Sequence, residues 1–312
     1  MRKRWKWMIL LVCGLIGLGF AWGLFAKREP EPSYQGRTLS EWYAQWVKSV
    51  EHEDDAELTA QCAEATVAIR QIGTNALPTL LNQLKRQASP SPVRAVLWAL
   101  VNRLPHSISH SHIVSSLLDE NKVGPGGTFM ILGPQAAPAV PELTGFLVAT
   151  NTPSLIHSAV YCLAAIGDEG LPPLLTALAD PQHPARYEVA YWLGVGSHFP
   201  FGTKLSQAVP LLAQCVTAAD PLLTETAVKA LGHIHQEPQV AIPVLANCLT
   251  STNFQGYLMI RFKAGMSLAS FGQVAVAPLE TALNHSDETV RRIATNSLQL
   301  IAQEVLTNAP PQ

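Results

Sequence analysis

The sequence predicts an all-α protein: an α-solenoid, in which two-helix repeats stack into an α/α superhelix, behind an N-terminal transmembrane helix. Three observations predict this. Pro141, Pro173, Pro210, Pro243 and Pro278 recur at separations of 32, 37, 33 and 35 residues, a period that no ordinary single-core fold produces. Of 312 residues, 48% are hydrophobic and only 14% charged, which excludes disorder for most of the chain and suffices for a large buried core. The third is a run of 19 residues, Met8 to Ala26, without one charge.

Taken in order, residues 1–7 form a basic tail containing Arg2, Lys3, Arg4 and Lys6. Residues 8–26 are long enough, at about 1.5 Å per residue, to cross roughly 28 Å of hydrocarbon as a helix. Trp5, Trp7 and Trp22 stand near its two ends, where amphipathic rings favour the interface, and the four cations on the N-side keep the N-terminus inside while the body is exported. A cleaved signal peptide is the competing reading. It needs a shorter apolar stretch and a small-x-small site, whereas Ala21-Trp22-Gly23 puts a tryptophan at the centre and lies within the run. Val12 before Cys13 also suits lipoprotein processing poorly.

Residues 27–37, polar and rich in proline, read as an extended tether. Over 38–59 a capping helix region is expected, because Thr38 and Glu41 have capping-box spacing and Leu39, Trp42 and Trp46 then share one face. The acidic run from Glu51 to Glu57 reads as a solvated helix entrance rather than a calcium loop, since the glycine turn and the regular oxygen spacing are absent. About seven two-helix units fill 60–304, and 305–312 form a proline-containing tail.

Within each unit the first helix ends near a glycine, at Gly73, Gly133, Gly167 and Gly272. Glycine takes the left-handed conformation that stops a helix, and the following proline suits the start of the next one. Such a hairpin cannot bury its apolar face alone, so neighbours must stack. The strings AIRQIGTNALPTLLNQL (68–84), ILGPQAAPAVPELTGFL (131–147), CLAAIGDEGLPPLLTAL (162–178) and SLASFGQVAVAPLETAL (267–283) resemble bacterial HEAT repeats, including the phycobilin-lyase HEAT-like subtype. With the apolar run and YQGRTLSEW (34–42), the chain also resembles membrane-anchored HEAT-repeat proteins of bacteria. That resemblance implies a single-pass protein of a bacterial cytoplasmic membrane, N-terminus inside, with its body periplasmic or extracellular. Two segments depart from the repeat pattern. KVGPGGT (122–128) predicts a short or missing first helix, and GVGSHFPFGTKL (194–205) a lengthened turn.

Little in the sequence supports catalysis. No phosphate loop, nucleophile elbow, HExxH or paired-carboxylate signature occurs. Cys62, Cys162, Cys215 and Cys248 fall outside CxxC pairs, and Cys215 and Cys248 occupy positions that hold apolar residues in other units, so they read as inert core thiols without a disulfide. His106, His110 and His112 are weak candidates for a metal site. No acidic residue lies between Glu64 and Asp119, so the sequence reads as metal-free, with these histidines at a polar loop-to-helix junction. His235 replaces the turn glycine of its unit, and histidine tolerates positive φ better than most residues. No cofactor is predicted.

What remains is surface. Residues 29–312 carry 15 basic and 23 acidic residues, a net charge of −8, which argues against a nucleic-acid partner. In HEAT-like solenoids the second helices line the concave side. Their polar positions here are largely uncharged: Thr144, Thr176, Gln207, Gln214, Gln239, Asn247, Thr281 and Asn284. Such a face suits a protein or peptide partner, with Phe199 and Phe201 as added specificity elements. The expected function is a non-catalytic scaffold or adaptor, membrane-attached through 8–26. The resemblance to phycobilin lyases implies the alternative, an enzyme or chaperone holding a linear tetrapyrrole or other small ligand in the groove.

Overall fold

The computed structural model describes residues 31–50, 56–88, 124–149, 152–195, 199–217, 219–254 and 256–307. The predicted span 8–26 and His106, His110 and His112 lie outside the described residues. Among those described, no helix is long and apolar enough to cross a membrane.

A two-stranded hairpin comes first, β1 (Ser33–Tyr34) and β2 (Arg37–Thr38), with Ser33 opposite Thr38 and Tyr34 opposite Arg37. This revises the extended tether over 27–37. Gln35 and Gly36 both take positive φ, 50° and 76°, the backbone that a two-residue hairpin turn requires. Thr38 then caps α1 (Leu39–Val50): its N–H donates to Glu41 Oε2 at 2.7 Å, and the Glu41 N–H donates to Thr38 Oγ1 at 3.4 Å, the reciprocal box its spacing predicts. The Thr38 N–H, joined by the Thr38 hydroxyl donating to the same Oε2 at 3.1 Å, holds the Glu41 carboxyl below its ordinary range. Trp42 is buried, with Nε1 donating to the Tyr34 carbonyl at 3.1 Å and the Arg37 guanidinium 3.9 Å above its ring.

Behind α1 the chain alternates first and second helices: α2 (Ala56–Ile72) with α3 (Leu77–Ala88), α4 (Pro125–Leu132) with α5 (Val140–Phe146), and α6 (Pro153–Ile166) with α7 (Leu171–Ala179). The series continues with α8 (Arg186–Gly194) and α9 (Ala208–Cys215), α10 (Pro221–Ile234) and α11 (Pro238–Thr250), α12 (Leu258–Ser270) and α13 (Val276–Ala282), and α14 (Glu288–Thr307) closes it. The turns follow the expected chemistry. Gly73, Gly133, Gly167 and Gly272 have φ of 57°, 53°, 84° and 64°, and a 3-10 turn starts at Gly73, Gly133 and Gly272. His235 substitutes with φ 52°, followed by Glu237 at 49°. In that unit Pro238 opens α11 and Pro243 lies inside it, because residues that elsewhere form the 3-10 turn join the helix.

Neighbouring first helices approach very closely, and glycine permits it. A Cβ added to Gly194 would lie 2.9 Å from Ala230 Cα, one on Gly232 2.9 Å from Ser267 Cα, and one on Gly265 2.3 Å from Ile293 Cγ2. Hydrogen bonds cross the same seams: His233 Nδ1 lies 2.8 Å from the Gly194 carbonyl, while Ser267 Oγ and Ser270 Oγ donate to Val228 and Gly232 carbonyls at 2.9 and 3.0 Å. Buried Arg261 ties α12 to the end of α11 and the start of α14, donating to the Ser251 carbonyl at 3.0 Å and to Asp287 Oδ2 at 2.6 Å. One apolar core runs through the stack.

The sequence assigns a unit to the segment between α3 and α4, and residues 89–123 lie outside the described residues. The units on either side touch directly: Arg70 Nε donates to the Ile131 carbonyl at 3.0 Å, and Lys85 Nζ lies 2.7 Å from Glu142 Oε1. The short helix α4 has eight residues, as its glycines predict. Those glycines also make room for aromatic neighbours. A Cβ on Gly124 or Gly127 would meet the Tyr43 hydroxyl at 2.2 or 2.7 Å, and one on Gly126 would meet Tyr161 Cε1 at 3.0 Å.

Candidate partner-binding surface

The second helices α7, α9, α11 and α13 pack in succession, which joins their outward positions into one row. The residue three or four places after each unit's proline is exposed along it: Thr176, Gln214, Asn247 and Thr281. Thr144 holds the same position on α5 and is half-buried, while Gln207, Gln239 and Asn284 are exposed near helix ends. Most other exposed positions on these four helices are Pro172, Ala179, Pro210, Pro238, Pro243 and Ala277, and the exposed charge among them is Glu280.

Three threonines have their hydroxyl protons engaged. Thr144, Thr176 and Thr281 Oγ1 donate to the carbonyls of Val140, Pro172 and Ala277 at 2.8, 3.0 and 3.0 Å, the back-bond common for threonine in helices. They face solvent as acceptors and methyl groups. Gln239 Nε2 donates to the Glu237 carboxylate, whereas the amides of Gln214 and Asn247 make no side-chain hydrogen bond among the described residues and can take both donors and acceptors.

The loop after α8 turns its aromatic rings inward. Phe199 is 7% and Phe201 1% exposed, so neither ring is displayed to a partner from the loop. Phe199 packs edge-on against Tyr161 at 5.5 Å and Trp192 at 5.9 Å, and each ring gains about 1.5–3 kcal/mol by leaving water. Pro200 closes over the left-handed turn at Gly167, where an added Cβ would lie 2.7 Å from Pro200 Cγ, and Lys204 Nζ reaches Asp168 Oδ2 at 2.7 Å.

The inner side of Phe199 and Pro200 borders an open recess of about 680 Å³ with Arg70, Met130, Pro134 and Gln135. Arg70 uses Nε on the Ile131 carbonyl, and its terminal nitrogens make no hydrogen bond among the described residues. Sequence reasoning missed Arg70, Met130 and Gln135. They lie on α2, on α4 and in the turn after α4, parts that adjoin only through direct packing of units separated in the chain.

The thiols are shielded. Cys162, Cys215 and Cys248 are buried, Cys62 is half-buried, and all four are unpaired. Burial pushes the thiols of Cys162, Cys215 and Cys248 up, that of Cys248 to about 12, so their reactive thiolate form is scarce. Among the described residues no group of three or more His, Cys, Asp and Glu side chains is arranged to hold a metal ion.

Residues 171–258 match the family described as HEAT repeats, and residues 155–180 match the PBS lyase HEAT-like repeat. No curated protein matches the chain. Among solved structures, that of human deoxyhypusine hydroxylase in complex with glycerol is similar at 15% identity, over 85% of this chain and 97% of that one, with a TM-score of 0.34. A likeness that loose carries no argument about architecture or activity.

Proposed function

We propose, from the premise that this chain is a HEAT-repeat protein, that it acts as a non-catalytic scaffold or adaptor whose second-helix row receives a protein or peptide partner. Residues 8–26 would hold it at the outer side of a bacterial cytoplasmic membrane, confining the row to a layer where a partner on the same surface meets it at raised effective concentration. One observation carries the reading. From α7 to α13 the row is continuous and almost without charge, offering amides, hydroxyl oxygens and proline rings. Such a surface lacks the cations that a polyanion needs and has the adaptable hydrogen-bonding groups of a protein contact.

The shielded thiols support the non-catalytic part of the proposal. The test places a photo-crosslinking amino acid at Thr176, Asn247 or Thr281 of the full chain in native membranes. A common protein adduct at all three positions is expected, and Asn247→Lys combined with Thr281→Lys should lower the yield from Thr176 about tenfold with unchanged thermal stability. Absence of any protein adduct, together with a shifted absorbance on adding a linear tetrapyrrole, would replace the scaffold by the lyase-like alternative.

A further inference from the structure

A second surface, on the first helices, has the opposite character. Leu258, Met259, Phe262 and Met266 on α12 are 53%, 54%, 45% and 42% exposed, and Tyr257 precedes them at 40%. Met259, Phe262 and Met266 stand three and four residues apart, which aligns them along one helix face over about 10 Å. The inner face of α12 is already complete, with Ile260, Ala264, Gly265 and Leu268 buried, so the outer stripe adds nothing to the core. On the flanking first helices the exposed positions are mostly polar, Lys229 and His233 on α10 beside Leu222, and Glu288, Arg292, Thr295, Asn296 and Gln299 on α14 beside Leu300. Methionine and aromatic residues concentrated in this way mark contact surfaces.

The charges bordering the stripe define its occupant. Lys263 pairs with Glu225 and Arg261 with Asp287, but Lys229 and Arg292, on the two flanking helices, make no ion pair among the described residues. Two cations without an ion pair among the described residues, against one exposed carboxylate, Glu288, therefore stand on the helices beside an apolar stripe in a body of net charge −8. A second copy of this chain fits poorly. A twofold laid along α12 sets α10 against α14, so Lys229 approaches Arg292, and one laid across it sets α10 against α10, whose exposed residues offer Lys229 no carboxylate. An anionic bilayer fits poorly as well, because the acidic body is repelled.

We propose that the outer face of α12 is a docking site, separate from the second-helix row, for an amphipathic helix of a partner protein with apolar residues at i, i+3 or i+4, and i+7 and carboxylates beside them. The apolar side of that helix covers Met259, Phe262 and Met266, and its carboxylates meet Lys229 and Arg292.

The test uses the full chain in its native membrane with benzoylphenylalanine at Met266, and at exposed Ser154 on α6 as control. The expected result is a protein adduct at Met266 at least about fivefold above Ser154, mapped to a segment with that apolar period and flanking Asp or Glu. Lys229→Glu with Arg292→Glu should cut the yield about fivefold, and Lys229→Gln with Arg292→Gln should lower it less, both with an unchanged melting curve. An adduct to this chain itself, an adduct to lipid, a yield indifferent to both charge pairs, or no excess over Ser154 overturns the proposal. The positions differ from those that test the second-helix row, so the two readings fail separately.

Discussion

The first and second helices arise from one repeat, yet they are joined in different ways. Between first helices, backbones nearly touch at Gly194 and Ala230 and at Gly232 and Ser267, and serine and histidine bonds cross the seam. Between second helices the approach is looser, and the outward residues are small, cyclic or neutral. The contrast assigns most of the mechanical continuity of the stack to the first row and leaves the second free to vary as a surface. In a solenoid, stability is the sum of unit and nearest-neighbour terms, so damage to one seam of the first row should cost far more than any change along the second.

The largest effect is expected from Gly232→Leu. Its Cβ would lie 2.3 Å from Ser267 Oγ and 2.9 Å from Ser267 Cα, and backbone cannot yield as a flexible side chain does, so about 3 kcal/mol of destabilisation should appear in chemical denaturation. A loss below about 0.5 kcal/mol would break the comparison outright.

Next comes the Arg261 tie. Arg261→Met removes the charged bonds to Asp287 and to the Ser251 carbonyl, which keeps only the Phe254 N–H, and should cost about 2 kcal/mol near neutral pH. This variant also carries a pH signature. The Arg261 hydrogen bond holds the Asp287 carboxyl below its ordinary range in the folded protein. The unfolded chain therefore binds that proton first, and the stabilisation is fully present above the ordinary aspartate range and lost as pH falls below it. Denaturation midpoints taken from neutral to strongly acid pH should show a smaller acid-induced fall for Arg261→Met than for the unaltered protein; equal falls would remove Asp287 from the account.

The second row should respond weakly or in the other sense. Gly145 lies within α5 with nothing within 4 Å of an added Cβ, so Gly145→Ala should stabilise by about 0.5–1 kcal/mol through helix propensity alone. Smallest of all, Thr176→Ala removes only a back-bond to Pro172 on an exposed face and should lie within about 0.5 kcal/mol of zero. Should Thr176→Ala destabilise as much as Gly232→Leu, the rows would be mechanically equivalent and the division proposed here would fail.

Much of this was legible in residue order, and the reasons are local. The capping box at Thr38 and Glu41, the left-handed turns at Gly73, Gly133, Gly167 and Gly272, the turn role of His235 and the shortness of α4 each depend on a few consecutive residues. The hairpin at Gln35-Gly36 was equally local and was overlooked because the surrounding prolines suggested an extended tether. The neutral row of second helices followed from periodicity, since residues one unit apart fall on one face. Sequence marks the long loop that carries Phe199 and Phe201 but not the direction in which their rings point, and burial of both rings was decided by packing. Apolar residues on two faces of α12, Ile260 and Leu268 on one and Met259, Phe262 and Met266 on the other, were present as a signal. In a chain this hydrophobic they blended into the background.

By itself the order of residues determined helix, turn and repeat, since those depend on backbone preference and on an apolar face needing a neighbour. Tertiary structure alone decided that α2 and α4 meet across 89–123, that Arg70 comes to share a recess with Phe199, and that Lys229 and Arg292 stand on the helices flanking a bare apolar stripe. These are distances between residues remote in the chain, set by how closely one helix can lie on the next, and no stretch of sequence encodes such a distance locally.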